Sequence, residues 1–490
     1  MSIMNFSQKL IKTRFAPSPT GYVHIGSIRT ALINFIYSRL NNGKFIVRIE
    51  NTDESRCASK FFFDIKNSLE YFSIKPDAAP WLNSNYSLIQ SNRKRTYKRF
   101  AQDLLDRGVL YKCFCSSNRL SLLKKLNPES YQGYDNKCRS LSRSQAEELS
   151  SQNLPFVLRF RNSDKKIEFE DGNFGIQSFH QKTSDSDPIM VKSSSMPVYH
   201  FANIVDDYTS GISHVFRGME WLTSTPLHIS LYNEFGWPIP KFTHLSLLLE
   251  DSGKKLSKRS PMFEEYGQVH RLCKDGHSPL ALTKWILSLG SPDVFRDNLF
   301  KCRNMDEIIS IFSTEIFSTN NVHMNLAVYK DLASNEQLIS FQQDSIFYTQ
   351  NVRQFLNSQI PNGIDHLSDE ELSNILRVII GRIFRFSDLL SSDLGLKYLW
   401  IDPETSDSPY QISINQDNFP GLIKLFLAQP TRDGLVKVKN ECSRKSIVWS
   451  SFMKDLRFVL TGSPVGLPIA DLVEIIPENM ILKRINKFID

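Results

Sequence analysis

Apolar positions recurring at Ile28, Leu32, Phe35, Ile36 and Leu40 trace one face of a helix that opens just after His24 and Gly26. Gly43 then reads as a helix stop, and Phe45-Ile-Val-Arg-Ile49 as a buried strand, so residues 13–80 run strand, loop, helix, strand. The pattern changes between Trp81 and Pro188. A charged helix (Arg93 to Arg107) leads to a cysteine-bearing hairpin at Tyr111-Lys-Cys113-Phe-Cys115, then polar helices, then alternating strands around 156–160 and 167–170. This block reads as an α+β insertion. Parallel α/β character resumes with Val198 to Val205, the run Val215-Phe-Arg217 and a helix from Thr225 to Phe235. Beyond residue 260 the chain reads helical to its end. Ser368-Asp-Glu-Glu371 has capping-box spacing and starts a helix with apolar Leu372, Ile375, Leu376, Ile379, Ile380 and Ile383, decorated by Arg377, Arg382 and Arg385.

With 490 residues, 41% of them hydrophobic, the chain can bury several cores, and length suggests about three domains. No apolar run approaches the roughly 18 residues of a membrane span, so a membrane role is excluded as an expectation. The formal charge of +7 has the sign of a polyanion binder. Seven scattered cysteines do not resemble a disulfide scaffold and point to a reducing interior. The first dozen residues hold Lys9 and Lys12 and no acid, the composition of a minimal mitochondrial targeting segment.

Two stretches concentrate the chemistry. In Arg14-Phe-Ala-Pro-Ser-Pro-Thr-Gly-Tyr-Val-His24-Ile-Gly26, prolines and glycines stiffen a loop that ends at a helix mouth, where free N–H groups suit an anion. In Lys254-Lys255-Leu-Ser-Lys258-Arg259, close-set cations and one hydroxyl suit a phosphate chain whose charge moves during reaction. The bland alternatives are a capping histidine and a solvated basic loop; for the arginines of the Ser368 helix, it is a solvated face.

These stretches, together with Arg48-Ile-Glu50-Asn-Thr-Asp53, Pro197-Val-Tyr199-His-Phe-Ala-Asn203-Ile-Val-Asp-Asp207 and Arg217-Gly-Met-Glu220-Trp221-Leu-Thr-Ser-Thr225-Pro, resemble the class I glutamyl-tRNA synthetases in order and spacing. Leu456-Arg-Phe-Val-Leu-Thr-Gly462 and Gly466-Leu-Pro468 are similar to the bacterial and organellar branch, so the resemblance covers nearly the whole chain. It implies an α/β fold with a Rossmann-like parallel-sheet catalytic domain (1–80 and 189–260), an acceptor-end-binding insertion (81–188), a helical stem-contact region (261–335) and an all-α anticodon-binding region (336–490). It implies ATP on His24, Gly26, Lys255, Ser257 and Lys258, with His24, Lys255 and Lys258 catalytic. Glutamate falls to Arg14, Ser18, Glu50, Tyr199, Asn203, Arg217 and Trp221; a fixed guanidinium reads a carboxylate bidentately, where lysine would not. Core packing is the alternative for Tyr199 and Trp221. The family usually has Asp at Asn51, a departure expected to affect local ordering more than catalysis.

Cys113, Cys115 and Cys138 supply three thiolates, and Tyr134 resembles a zinc-site tyrosine of some relatives. The histidine that others place after the last cysteine is Ser140 here, so reduced structural cysteines are the preferred reading and zinc stands as the alternative. Expected partners are L-glutamate, Mg²⁺ on the phosphates, and tRNA(Glu), with tRNA(Gln) as a further substrate. A monomer in the mitochondrial matrix is expected, with a bacterial cytoplasm as the alternative. Competing readings are an inactive tRNA-binding protein on a synthetase scaffold and a paralogue that glutamylates a modified tRNA base. The full lysine loop and the helical tail argue against the paralogue, and the tail also disfavours a glutaminyl enzyme, whose relatives end in β-barrels.

Overall fold

The computed structural model describes residues 10–126, 134–182, 185–250, 253–254, 260–314, 317–361, 363–401, 410, 412–414 and 418–489. Two compact units emerge, one formed by residues 1–271 and 286–325, the other by 272–285 and 326–490. The stretch 261–335, expected as one helical region, is thus divided between them.

In the first unit β1 (Lys12–Phe15) lies parallel to β2 (Lys44–Val47), with Arg14 opposite Ile46. Between them runs α1 (Ile25–Leu40), capped by extended His24, whose Nδ1 accepts from the Ser27 N–H at 3.2 Å. Ile25, Ile28, Ala31, Leu32, Ile33, Phe35 and Ile36 are all buried, more than one face of the helix, so α1 is enclosed and not laid on a surface. The chain turns out of α1 at Asn42, with φ of 49°, and not at Gly43 as the sequence suggested. Gly43 serves a different need: a Cβ there would stand 2.3 Å from the carbonyl oxygen of Ile11. That close approach lets the Lys44 N–H donate to the same oxygen at 2.8 Å and start β2.

Then follow α2 (Lys94–Asp106), β3 (Leu110–Cys113), β4 (Val157–Phe160), β5 (Lys165–Asp171), β6 (Gly175–Gln181) and β7 (Ile189–Val191). After these come α3 (Tyr199–Ser210), β8 (His214–Gly218), α4 (Thr225–Phe235) and β9 (Lys241–Leu245). β3, β4 and β7 form an antiparallel sheet, the α+β insertion. The hairpin β5–β6 sits within the range read as insertion, yet it extends the catalytic sheet in the order β6-β5-β9-β8. Its last strand residue, Asp171, pairs with Phe242 of parallel β9. Ile167 and Phe242 share one apolar core, which draws the hairpin to this edge. α3 and α4 end at Gly211 and Gly236 in the left-handed conformation.

The second unit is helical around one core containing Leu356, Leu376, Ile423, Phe452 and Ile485. α5 (Asp369–Ile379) starts from the expected capping box, Ser368 with Glu371. The helix does not reach Arg385. It tightens into a 3₁₀ turn over Ile380–Arg382, Ile383 is extended, and Arg385 begins another short turn in which the Asp388 carboxylate takes the N–H groups of Phe384 and Arg385 at 3.0 and 3.3 Å. Gly381, a poor helix interior residue, sits at the break. No helix among the described residues is long and apolar enough to cross a membrane.

Gly43→Ala should destabilise the first unit by about 2 kcal/mol, because backbone must move to admit the methyl group. An unchanged denaturant midpoint would contradict that packing.

Candidate active site

The loop after β1, the mouth of α1, the end of β2, the start of α3 and the end of β8 converge on one cavity of about 510 Å³. Arg14, Ser18, His24, Glu50, Tyr199, Asn203, Arg217 and Trp221, eight of the positions singled out in the sequence, line it together. A second cavity of about 300 Å³ shares His24, Ser27, Thr30, Gly218 and Glu220 with the first and adds Gly26, Arg29 and Phe263. Gly26 keeps the helix mouth open, since a Cβ there would meet the His24 ring at 3.2 Å. His24 is therefore both a cap and a cavity wall. Of the cationic loop, Lys254 is described, whereas Lys255, Ser257 and Lys258 lie outside the described residues.

Buried charge is distributed unevenly around the larger cavity. Arg48 bridges Asp207 at 2.6 Å, Glu50 at 2.9 Å and Asp206 at 3.6 Å. Arg14 pairs with Asp207 at 3.2 Å, Arg93 pairs with Asp206 at 2.7 Å, and Asn203 donates to Glu50 at 3.1 Å. Three guanidiniums, of Arg14, Arg48 and Arg93, thus balance three carboxylates, of Glu50, Asp206 and Asp207. Burial alone would raise Asp207, yet Arg14 and Arg48 hold it below the usual carboxylate range. Glu50 goes the other way: burial raises it, and Arg48 with Asn203 offsets only part of the rise.

Arg217 stands apart. It is 5% exposed, and among the described residues no carboxylate lies within ion-pair distance of it. Its Nε donates to His244 Nε2 at 3.0 Å, Nη1 to His228 Nδ1 at 3.1 Å, and Nη2 to Thr225 Oγ1 at 2.9 Å. Burial depresses the Arg217 guanidinium. It also depresses His228, well below the ordinary imidazole value, with the Arg217 charge adding to the effect. Arg29, in the smaller cavity, is a second fully buried cation; it donates to the Ser246 carbonyl at 2.8 Å, and burial brings it down to about 10. Tyr199 and Trp221 pack with their rings tilted by 34° and centroids 4.2 Å apart and are only half-buried, so they wall the cavity and do not fill a core.

This arrangement offers a fixed buried cation and a buried acid in one cavity, beside a helix mouth that suits phosphate. Residues 10–330 match the family model described as tRNA synthetases class I (E and Q), catalytic domain. Over 505 aligned positions the chain is 31% identical to the glutamate–tRNA ligase of Borreliella afzelii, covering 97% of each. The chain belongs to the class I glutamyl-tRNA synthetases. It is also 38% identical to the mitochondrial glutamate–tRNA ligase of Saccharomyces cerevisiae over 327 residues, 64% of this chain and 59% of that one. A solved glutamate–tRNA ligase of Elizabethkingia meningosepticum, in complex with its amino acid, superposes with a TM-score of 0.77 at 26% identity, covering 98% of this synthetase and 99% of that chain.

The remaining positions fall elsewhere. Asn51 accepts from the Ser91 N–H and donates to Ser91 Oγ, both at 2.9 Å, a two-point clip that orders this loop without adding a charge to it. Arg377 is exposed, Arg382 pairs with Asp471 at 3.1 Å, and Arg385 pairs with Asp388 at 3.1 Å. Cys113, Cys115 and Cys138 bring their sulfurs within 4.8 Å of one another. Sequence reasoning missed Arg29, Asp171, His228 and His244, and quoted Arg48, Asp206 and Asp207 without giving them roles. One signal was there: four of the ten histidines (200, 214, 228 and 244) fall within 45 residues.

Burial holds the folded His228 well below, and the folded His244 below, their unfolded value of about 6.5. Below that pH the unfolded chain binds protons that the folded chain refuses, so stability falls on acidification by up to about 1.4 kcal/mol per pH unit for each histidine. Melting temperatures should be flat from pH 8 to 7 and drop from 6.5 to 5; a rise over that lower range would contradict burial of neutral imidazoles.

Proposed function

We propose that the chain attaches L-glutamate to the 3′ end of tRNA(Glu) in two steps, through a glutamyl-adenylate. Arg217 supports this most directly: it is a buried guanidinium that lines the cavity, and its acceptors among the described residues are uncharged. Such a group recovers its lost hydration from a carboxylate ligand and gains far less from an amide, which is the discrimination between glutamate and glutamine. Glu50, held by Arg48 and Asn203, is suited to the substrate ammonium, with Ser18 at the cavity rim. Arg14 already shares its charge with Asp207 and so is the weaker reader of the side chain.

ATP fits the smaller cavity, where the first turn of α1, His24 and buried Arg29 supply N–H donors and positive charge, with Mg²⁺ travelling on the phosphates. The substrate carboxylate then attacks the α-phosphorus and pyrophosphate leaves, with Lys255 and Lys258 assigned to the developing charge and Ser257 as a supporting donor. A terminal ribose hydroxyl of tRNA attacks the adenylate in the second step. The insertion is assigned to the acceptor end and the helical unit to the anticodon, with Arg377 the exposed cation of its helix. A mitochondrial location is supported by the charge of +7 and by the yeast relative.

Zinc fits the cysteine cluster. A tetrahedral thiolate site needs sulfurs about 3.8 Å apart, and Cys115 and Cys138 stand at 3.6 Å. Tyr134, whose hydroxyl accepts from the Cys138 N–H at 2.8 Å, completes the set, and the role would be structural. Elemental analysis should give about one zinc per chain, lost in Cys138→Ser; a metal-free wild type would return the thiols to reduced packing.

Arg217→Gln should lower glutamate activation, measured as tRNA-dependent ATP–pyrophosphate exchange, by roughly 100-fold through the glutamate KM. A wild-type glutamate KM would show that another cation reads the side chain.

A further inference from the structure

Arg217 is held by a chain of hydrogen bonds whose direction is fixed by its own chemistry. A guanidinium only donates, so each imidazole facing it must present a lone pair. His244 therefore turns Nε2 to Arg217 without a proton, and its proton sits on Nδ1, which lies 2.5 Å from Asp171 Oδ2. His228 likewise turns an unprotonated Nδ1 to Arg217, which places its proton on Nε2, 3.0 Å from His200 Nδ1. Both tautomers follow from the guanidinium and from the group beyond each ring.

Asp171 is built for this single contact. It is 2% exposed, and its other oxygen, Oδ1, accepts from the backbone N–H groups of Asn173 at 3.0 Å, Phe174 at 3.1 Å and His244 at 3.2 Å. That clamp fixes the carboxylate and leaves Oδ2 aimed at the imidazole. The neighbouring Gly172 permits the close approach of β9, because a Cβ there would stand 2.3 Å from Thr243 Oγ1. Had the acid itself faced Arg217, it would have neutralised the cation, as Asp207 does for Arg14.

We propose that Asp171 is a positioning residue of the amino-acid site: through His244 it fixes Arg217 by an uncharged acceptor, as His228 does from the other side, and so reserves the guanidinium charge for the substrate's side-chain carboxylate. This rests on the reading of Arg217 given above. A direct carboxylate would orient Arg217 equally well but would cancel the charge that separates an acid from its amide.

Asp171→Asn tests it with nearly the same shape. The amide oxygen can keep the three backbone N–H groups, which turns the amide N–H₂ toward His244 Nδ1. His244 must then carry its proton on Nε2, facing the Arg217 Nε–H, donor against donor. In tRNA-dependent pyrophosphate exchange the glutamate KM should rise about 10- to 100-fold, with the ATP KM unchanged within about threefold. A second pair guards against misfolding. His228→Asp puts a carboxylate against Arg217 and should raise the glutamate KM by about 100-fold, whereas His228→Asn, whose amide oxygen can replace Nδ1, should stay within about fivefold. A folded Asp171→Asn enzyme with a wild-type glutamate KM, or equal losses in the two His228 variants, overturns the proposal. If Arg217→Gln raises the glutamate KM while Asp171→Asn does not, only the positioning role fails; if Arg217→Gln leaves it unchanged, the reading of Arg217 fails with it.

Discussion

Burying charge is costly unless each charge is matched, and this constraint shapes the first unit. Arg48 is the hub. From just past β2 it reaches the Asp207, Glu50 and Asp206 carboxylates, while Arg14 on β1 and Arg93 ahead of α2 complete the balance. Removing one member would leave its partner charged and dry, so β1, β2 and α3 are held in one relative placement by electrostatics as well as by the apolar residues on α1 and α3. The same placement sets the distance between the loop after β1 and the start of α3, and with it the width of the cavity.

Against that balanced background two buried cations of the cavities stand uncompensated among the described residues. Arg217 and Arg29 are buried without carboxylate partners among the described residues, one in each cavity. Their solvation comes from imidazoles, a threonine hydroxyl and a backbone carbonyl, all of which orient a guanidinium without cancelling it. Cations held in this way suit anionic ligands, the basis of the proposed placement of a side-chain carboxylate in the larger cavity and phosphate in the smaller. The cost is a set of neutral buried histidines, whose protonation would place like charges beside Arg217.

The α/β core, the α+β insertion and the helical C-terminal unit were legible in the sequence because periodicity and caps report local structure. Eight of the residues that line the larger cavity were legible through motifs whose chemistry is local to a loop or a helix mouth. What escaped was long-range. Asp171 lies 73 positions from His244, and β5 was read with the insertion because nothing local says which sheet an alternating strand joins. Arg385 was placed on α5 because an apolar stripe through Ile383 continues across a helix break, burial being blind to the 3₁₀ turn at Gly381. Gly43 was read as a cap when its role is a close backbone approach, a requirement visible only once Ile11 is beside it.

Arg217 keeps its charge for a ligand only while the imidazoles around it are neutral and correctly protonated. ¹⁵N chemical shifts of selectively labelled histidines report both protonation and tautomer directly. At pH 7 both rings should be neutral, with the proton on Nδ1 in His244 and on Nε2 in His228. Imidazolium signals from either residue, or the opposite tautomer at His244, would contradict it.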